Sequence, residues 1–173
     1  MTKLTALVMA LLLGAGILAP LEGAPISRGN DNVLAEIVEV AGTVTEVTDE
    51  YVLIITSTGE EMQANLADFT IFEGETPVPG ALVHILYDGA TTRSLPPQLT
   101  ALKVGCYVRT GVVSDRTENT FMLQCDDGEM LLVHYEMQPR GMQDGSRVQV
   151  YFNGAMTMSL PAQIGAEMIR MVH

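Results

Sequence analysis

The stretch YDGATTRSLPPQLTALKV, residues 87–104, decides the fold because the chain contains it twice. Residues 152–169 read FNGAMTMSLPAQIGAEMI, and a constant offset of 65 aligns the two. Gly89, Ala90, Thr92, Ser94, Leu95, Pro96, Gln98 and Ala101 then match Gly154, Ala155, Thr157, Ser159, Leu160, Pro161, Gln163 and Ala166, eight identities in eighteen positions. A duplicated element of this size means a repeated structural unit. What the two stretches share is turn formers and core apolar residues.

Reading outward from the first stretch, the chain alternates with period two. Val38, Val40, Gly42 and Val44 fall on one face, with Glu39, Thr43 and Thr45 on the other, which predicts a half-buried strand with Gly42 as a candidate bulge. A Thr48-Asp49-Glu50 turn, the β-rich run YVLIITS, a turn at Thr58-Gly59-Glu60 and a strand over 62–66 complete a meander. Residues 67–80, ADFTIFEGETPVPG, have no helical period and are expected to form a loop that tucks Phe69 and Phe72 against the end of a barrel. A strong strand follows, with Val83, Ile85 and Tyr87 inward and Leu82, His84 and Leu86 outward; the Pro-rich turn and a last strand over 99–104 close the unit.

The second repeat keeps this order. Gly111 stands for Gly42, 121–125 for 51–55, Gly128 for Gly59 and 130–135 for the third strand. Val148, Val150 and Phe152 replace the inward set, and Arg147, Gln149 and Tyr151 the outward one. Gly128 and Gly145 are four residues closer together than Gly59 and Gly80, so the loop before the fourth strand is the variable one.

These patterns predict an all-β protein of two tandem small five-stranded OB-like barrels, residues 36–104 and 105–173. In a chain of 173 residues each unit has about 65, close to the lower limit for an independent core. Closing each sheet would remove exposed edges.

Residues 1–24 are expected to be a signal peptide or membrane anchor, a short positive start through Lys3 followed by an uncharged apolar run from 4 to 21. Residues 25–35 read as a polar linker, and everything beyond it lies outside the cytoplasm, at the cell surface or in the medium. The formal net charge is −12. Residues 30–104 carry twelve acids against Arg93 and Lys103, and residues 105–173 eight acids against five Arg. So acidic a surface repels phosphate backbones, excludes nucleic acid and anionic membrane as partners, and leaves membrane contact only through an uncleaved N-terminal segment.

With G-x-x-V-x-V-x-[YF]-D/N-G running into S-[YL]-P-[AP]-Q, over 80–98, where Ile85 stands for the second Val, and again over 145–163, the chain resembles the small OB-like domain of exported Gram-positive proteins of the YobA type. The resemblance spans residues 36–172 and implies an exported barrel without implying a particular activity. The chain departs from that group in having no lipid-attachment Cys after the apolar run.

Chemistry-bearing residues are few. Cys106 and Cys125, on neighbouring strands of an exported protein, are expected to form a disulfide worth ~3 kcal/mol, about two residues out of register across the 116–119 turn; two buried thiols are the alternative. Eight of the nine Met beyond the N-terminal segment lie at or after Met122; Met156, Met158, Met168 and Met171, with Met137 and Met142 and with His134 and His173 nearby, could hold Cu(I) as soft thioether ligands, against which stands their reading as core and surface fillers. His84 and His134 read as solvated side chains, and Asp126-Asp127-Gly128-Glu129 as a hairpin turn that lacks the spaced ligands of a calcium loop. Ser94 and Ser159 recur without a recurring His or acid to activate them, and no nucleophile elbow, zinc-protease helix or phosphate loop is present. The expectation is a non-catalytic binding or structural module of the bacterial cell surface, without cofactor, partnered by a protein or small ligand outside the cytoplasm; the alternative is a Met-rich copper-binding protein of the envelope.

Overall fold

The computed structural model describes residues 36–137 and 139–172; the expected signal or anchor and the linker at 25–35 lie outside the described residues. Among the described residues every regular element is a strand. The first repeat supplies β1 (Val38–Val47), β2 (Tyr51–Thr56), β3 (Glu61–Asn65), β4 (Ile71–Gly74), β5 (Leu82–Tyr87) and β6 (Gln98–Thr100). β7 (Lys103–Ser114) is shared, and β8 (Thr120–Cys125), β9 (Met130–His134), β10 (Arg147–Phe152), β11 (Ala162–Gly165) and β12 (Met168–Met171) belong to the second.

Pairing repeats with the sequence. β1, β2 and β3 form an antiparallel meander, β5 returns to the other side of β1, β6 runs parallel to β3, and the start of β7 is antiparallel to β5. In the second repeat the remainder of β7 pairs with β8 and β8 with β9, β10 lies against β7, β11 runs parallel to β9, and β12 is antiparallel to β10. Registers match as well: Gly42 faces Thr56 as Gly111 faces Cys125, and Ile85 faces Val104 as Val150 faces Ile169.

Two separate closed sheets were expected, whereas one twelve-stranded sheet runs through both repeats and is not closed. β7 is the cause. Residues 103–106 pair with first-repeat strands and residues 107–112 with β10, with no turn between, so the division expected at 104/105 falls inside a strand.

The apolar alternation buries two clusters. Val44, Val52, Ile54, Val83, Ile85 and Val104 centre the first, and Phe121, Leu123, Leu131, Val133, Val150 and Ile164 the second. Each such side chain taken from water contributes about 1.5–3 kcal/mol.

Local corrections follow from the partners the fold supplies. The irregularity in β1 falls between Val44 and Glu46, not at Gly42. Gly42 is buried because β2 crosses it closely: a Cβ there would lie 2.9 Å from Ile55 O, and at Gly111 one would lie 2.2 Å from Gln124 O. Segment 67–80 contains a strand, β4, held by backbone bonds, and Phe69 and Phe72 face solvent at 60% and 53% exposure rather than tucking inward. His84 and Tyr151, expected outward, are buried because the repeats meet there: Tyr151, from the second repeat, packs in the first core.

Candidate functional site

The repeated loops are built as one hydrogen-bond relay, twice. Gln98 N–H donates to Thr92 Oγ1 at 2.9 Å, Thr92 Oγ1 lies 2.6 Å from Ser94 Oγ, and Ser94 Oγ donates to Pro96 O at 2.7 Å. The counterparts are Gln163 N–H to Thr157 Oγ1 at 2.8 Å, Thr157 Oγ1 to Ser159 Oγ at 2.7 Å, and Ser159 Oγ to Pro161 O at 2.8 Å. Because each Ser hydroxyl donates to a carbonyl, its hydrogen bonding fixes the loop, and among the described residues no acid or imidazole is hydrogen-bonded to it. Asp88 and Asn153 open the two loops with equivalent Asx bonds to the Ala90 and Ala155 amides. Gly89 and Gly154 follow at φ +79° and +87°, and the Leu95-Pro96 and Leu160-Pro161 peptides are both cis. The loops thereby hold Leu95 and Leu160 out at 95% and 100% exposure.

At the seam between repeats, His84 sits between Glu39 and Glu167, its Nδ1 2.6 Å from Glu39 Oε1 and its Nε2 3.2 Å from Glu167 Oε2. The Nε2 contact has ion-pair distance without the alignment of a hydrogen bond. The ring is 7% exposed, and Tyr107 lies 6.3 Å from it, centroid to centroid. Beside it, Glu73 on β4 pairs with Lys103 and accepts the Tyr107 hydroxyl at 2.8 Å. Lys103 and then Tyr107 hold the Glu73 carboxyl below the usual carboxylate range, while Glu73 raises the Lys103 ammonium above the usual lysine value.

Cys106 and Cys125 are free and buried. The expected disulfide does not fit this fold. Cys125 faces Gly111, five residues along β7 from Cys106 rather than two; at ~3.3 Å per residue that is ~16 Å, far beyond the ~7 Å Cα limit. Both thiols line a cavity of about 430 Å³ with Arg109, Glu75, Asp127 and Tyr151. Burial pushes the Cys125 thiol up to about 11 and raises that of Cys106. Arg109 Nε, itself shielded from solvent, is 3.9 Å from Glu129 Oε2.

The methionines do not converge. Met168 packs against the first core, Met156 and Met171 against the second, Met142 is inside the second, and Met158 and Met137 lie in solvent. His134 is exposed with Nε2 2.9 Å from Gln163 Oε1, and His173 lies outside the described residues. Asp126 to Glu129 make the β8–β9 hairpin, with Gly128 at φ +90° donating to Cys125 O. Among the described residues no three His, Cys, Asp or Glu side chains are grouped to hold a metal ion, and no helix is long and apolar enough to cross a membrane.

A second cavity, of about 660 Å³, lies in the second repeat and is lined by residues that include His134, Tyr135, Ala166, Glu167, Met168 and Ile169. Its signal in the sequence is the four-residue shortening of the loop before the fourth strand, visible as length but not as a gap in packing.

No family model matches the chain, nor does any curated protein. Among solved structures it is similar to the Drosophila Unr fragment CSD456. That match has 15% identity and a TM-score of 0.30 over 79% of this chain, and the chain spans 62% of the fragment's length. A likeness this weak carries no argument about fold or function.

Proposed function

We propose that the chain is an exported, non-catalytic binding or structural module of the bacterial cell surface, built of two tandem OB-like repeats, each with the strand connectivity of a small barrel but joined in one open sheet. What supports the barrel reading is the connectivity: in each repeat a meander is followed by a strand that returns beside the first and a short strand parallel to the third. Its acidic surface, net −12 over the whole chain, makes a protein or small ligand the partner and not a polyphosphate.

The observation that carries the binding reading is the pair of loops. Each holds a fully exposed leucine on a turn whose Ser and Thr hydroxyls are bonded within the loop. A rigid apolar tip loses little conformational freedom on contact, which favours binding. Among the described residues the hydrogen bonds of Ser94 and Ser159 go to Thr hydroxyls and Pro carbonyls and not to a base, which favours the non-catalytic reading.

Two measurements test this. Turnover of a panel of small esters and peptides, lost on Ser94→Ala or Ser159→Ala, would show the non-catalytic part to be wrong. Retention by cell-envelope fractions should fall when Leu95→Ser and Leu160→Ser are combined; unchanged retention removes the loops as the contact.

A further inference from the structure

The two repeats differ in length at one place. Thirteen residues, 67–79, separate Leu66 from Gly80, and nine, 136–144, separate Tyr135 from Gly145. The flanks are equivalent: Leu66 N–H donates to Glu50 O as Tyr135 N–H does to Asn119 O, and Gly80 N–H to Val44 O as Gly145 N–H does to Val113 O.

In the first repeat the extra chain is β4 and its lead-in, and it covers the outer edge of the last strand. Thr70 Oγ1 donates to Ala101 O at 2.7 Å, Ile71 N–H to Leu102 O at 3.0 Å and Glu75 N–H to Cys106 O at 2.8 Å, while β4 runs parallel to residues 103–106. Offset by 65, the counterparts are Ala166 O, Glu167 O and β12. Among the described residues β12 pairs only with β10, and nothing donates to Ala166 O or Glu167 O. The cavity of about 660 Å³ is lined by these same residues, from Gly165 to Ile169. One repeat therefore holds a strand where the other holds a groove beside an unpaired edge, and an unpaired edge is a template for an added strand.

We propose that this groove and the free edge of β12 take an extended peptide of a partner protein, running parallel to β12, with the order hydroxyl residue, aliphatic, aromatic, acid. β4 shows the chemistry because Thr70-Ile71-Phe72-Glu73 is the covalently attached version of that ligand. The hydroxyl residue donates to Ala166 O and the next amide to Glu167 O. The acid meets Arg170, which occupies the register position of Gly105 opposite Glu73 and is exposed; its guanidinium rests against Gly80, has no acidic partner among the described residues, and would turn from Gly80 to the peptide. The surface is distinct from the Leu95 and Leu160 loops, so either assignment can fail alone.

The test uses the full chain and a fluorescent peptide of sequence ADFTIFEGE, residues 67–75, followed by anisotropy and by hydrogen exchange. Saturable binding with slowed exchange across 166–172 is expected. Arg170→Glu should weaken it about three- to tenfold, and N-methylation of the peptide's isoleucine nitrogen should abolish it. The Leu95→Ser, Leu160→Ser double variant should leave it unchanged. The proposal is overturned by the absence of binding, by protection confined to 103–106 (exchange with β4), by indifference to N-methylation, or by a stable dimer that excludes the peptide.

Discussion

His84 Nδ1 lies 2.6 Å from Glu39 Oε1 while Nε2 of the same ring faces Glu167, so one buried imidazole on β5 joins carboxylates from both repeats. Its stabilising role has two separable parts, packing of a ring that is 7% exposed and pairing with carboxylates that are 52% and 39% exposed. Pairing at such exposure is screened and worth under about 1 kcal/mol, whereas removing the ring leaves a void and two facing acids. His84→Ala should cost about 2–4 kcal/mol and Glu167→Gln under about 1 kcal/mol in urea unfolding. Equal losses would make pairing, not packing, the dominant part.

Gly111 and Gly42 occupy equivalent crossings, yet their substitution should not be equivalent. A Cβ at Gly111 meets backbone, 2.2 Å from Gln124 O, which can yield only by parting β7 from β8. At Gly42 the contacts at 2.9 Å are Ile55 O and Ile54 Cδ1, the latter the movable end of a side chain. Alanine is normally the better strand residue by about 0.5–1 kcal/mol, so destabilisation here reads directly as steric conflict. We expect Gly111→Ala to cost more than about 3 kcal/mol and Gly42→Ala about 1–3 kcal/mol. A Gly111→Ala protein with unchanged melting temperature would contradict the close crossing.

Glu73 ties β4 to β7 through Lys103 and Tyr107. Its carboxyl is held below the ordinary range, so its contribution to stability is present above the ordinary carboxylate value and is lost as pH falls through the lowered one. Lys103 runs the other way: its raised value means a contribution lost only in strong alkali, as pH rises past the usual lysine range. Glu73→Gln should therefore speed hydrogen exchange of residues 71–75 at neutral pH, and the difference from the parent chain should close in acid. A difference that persists unchanged in strong acid would show that the charge on the Glu73 carboxylate is not what anchors β4.

The sequence carried the parts of the fold that depend on local alternation and on the duplicated turn. Val83, Ile85 and Tyr87 and their counterparts are inward as the period-two pattern requires. Position within a strand says nothing about a second layer, however. His84 and Tyr151 follow the outward phase and are buried because another repeat arrives there. The same blindness hid β7: residues 103–106 and 107–114 each look like an end strand, and only the absence of a turn between them makes one sheet of two repeats. β4 escaped notice because a parallel strand docked by its backbone leaves Ile71 and Phe72 in solvent, and so shows no alternation.

Cys106 and Cys125 share a cavity wall without sharing a bond, and their chemistry should follow from burial. Burial, then Asp127, pushes the Cys125 thiol up to about 11; burial, then Glu75, raises that of Cys106. The thiolate is the reactive species, and an exposed Cys ionises near 8.5, so at pH 8 the folded chain should hold about two-hundredfold less Cys125 thiolate than the unfolded one. Reaction with a chromogenic disulfide should accordingly be slow in buffer and fast in urea, and the slow rate should rise about tenfold per pH unit up to about 11. Oxidised glutathione should produce no internal bridge, because ~16 Å of β7 separates the positions. Rapid labelling of the folded chain at pH 8, or an intramolecular disulfide formed without loss of the native fold, would show that β7 and β8 are not paired with Cys125 opposite Gly111.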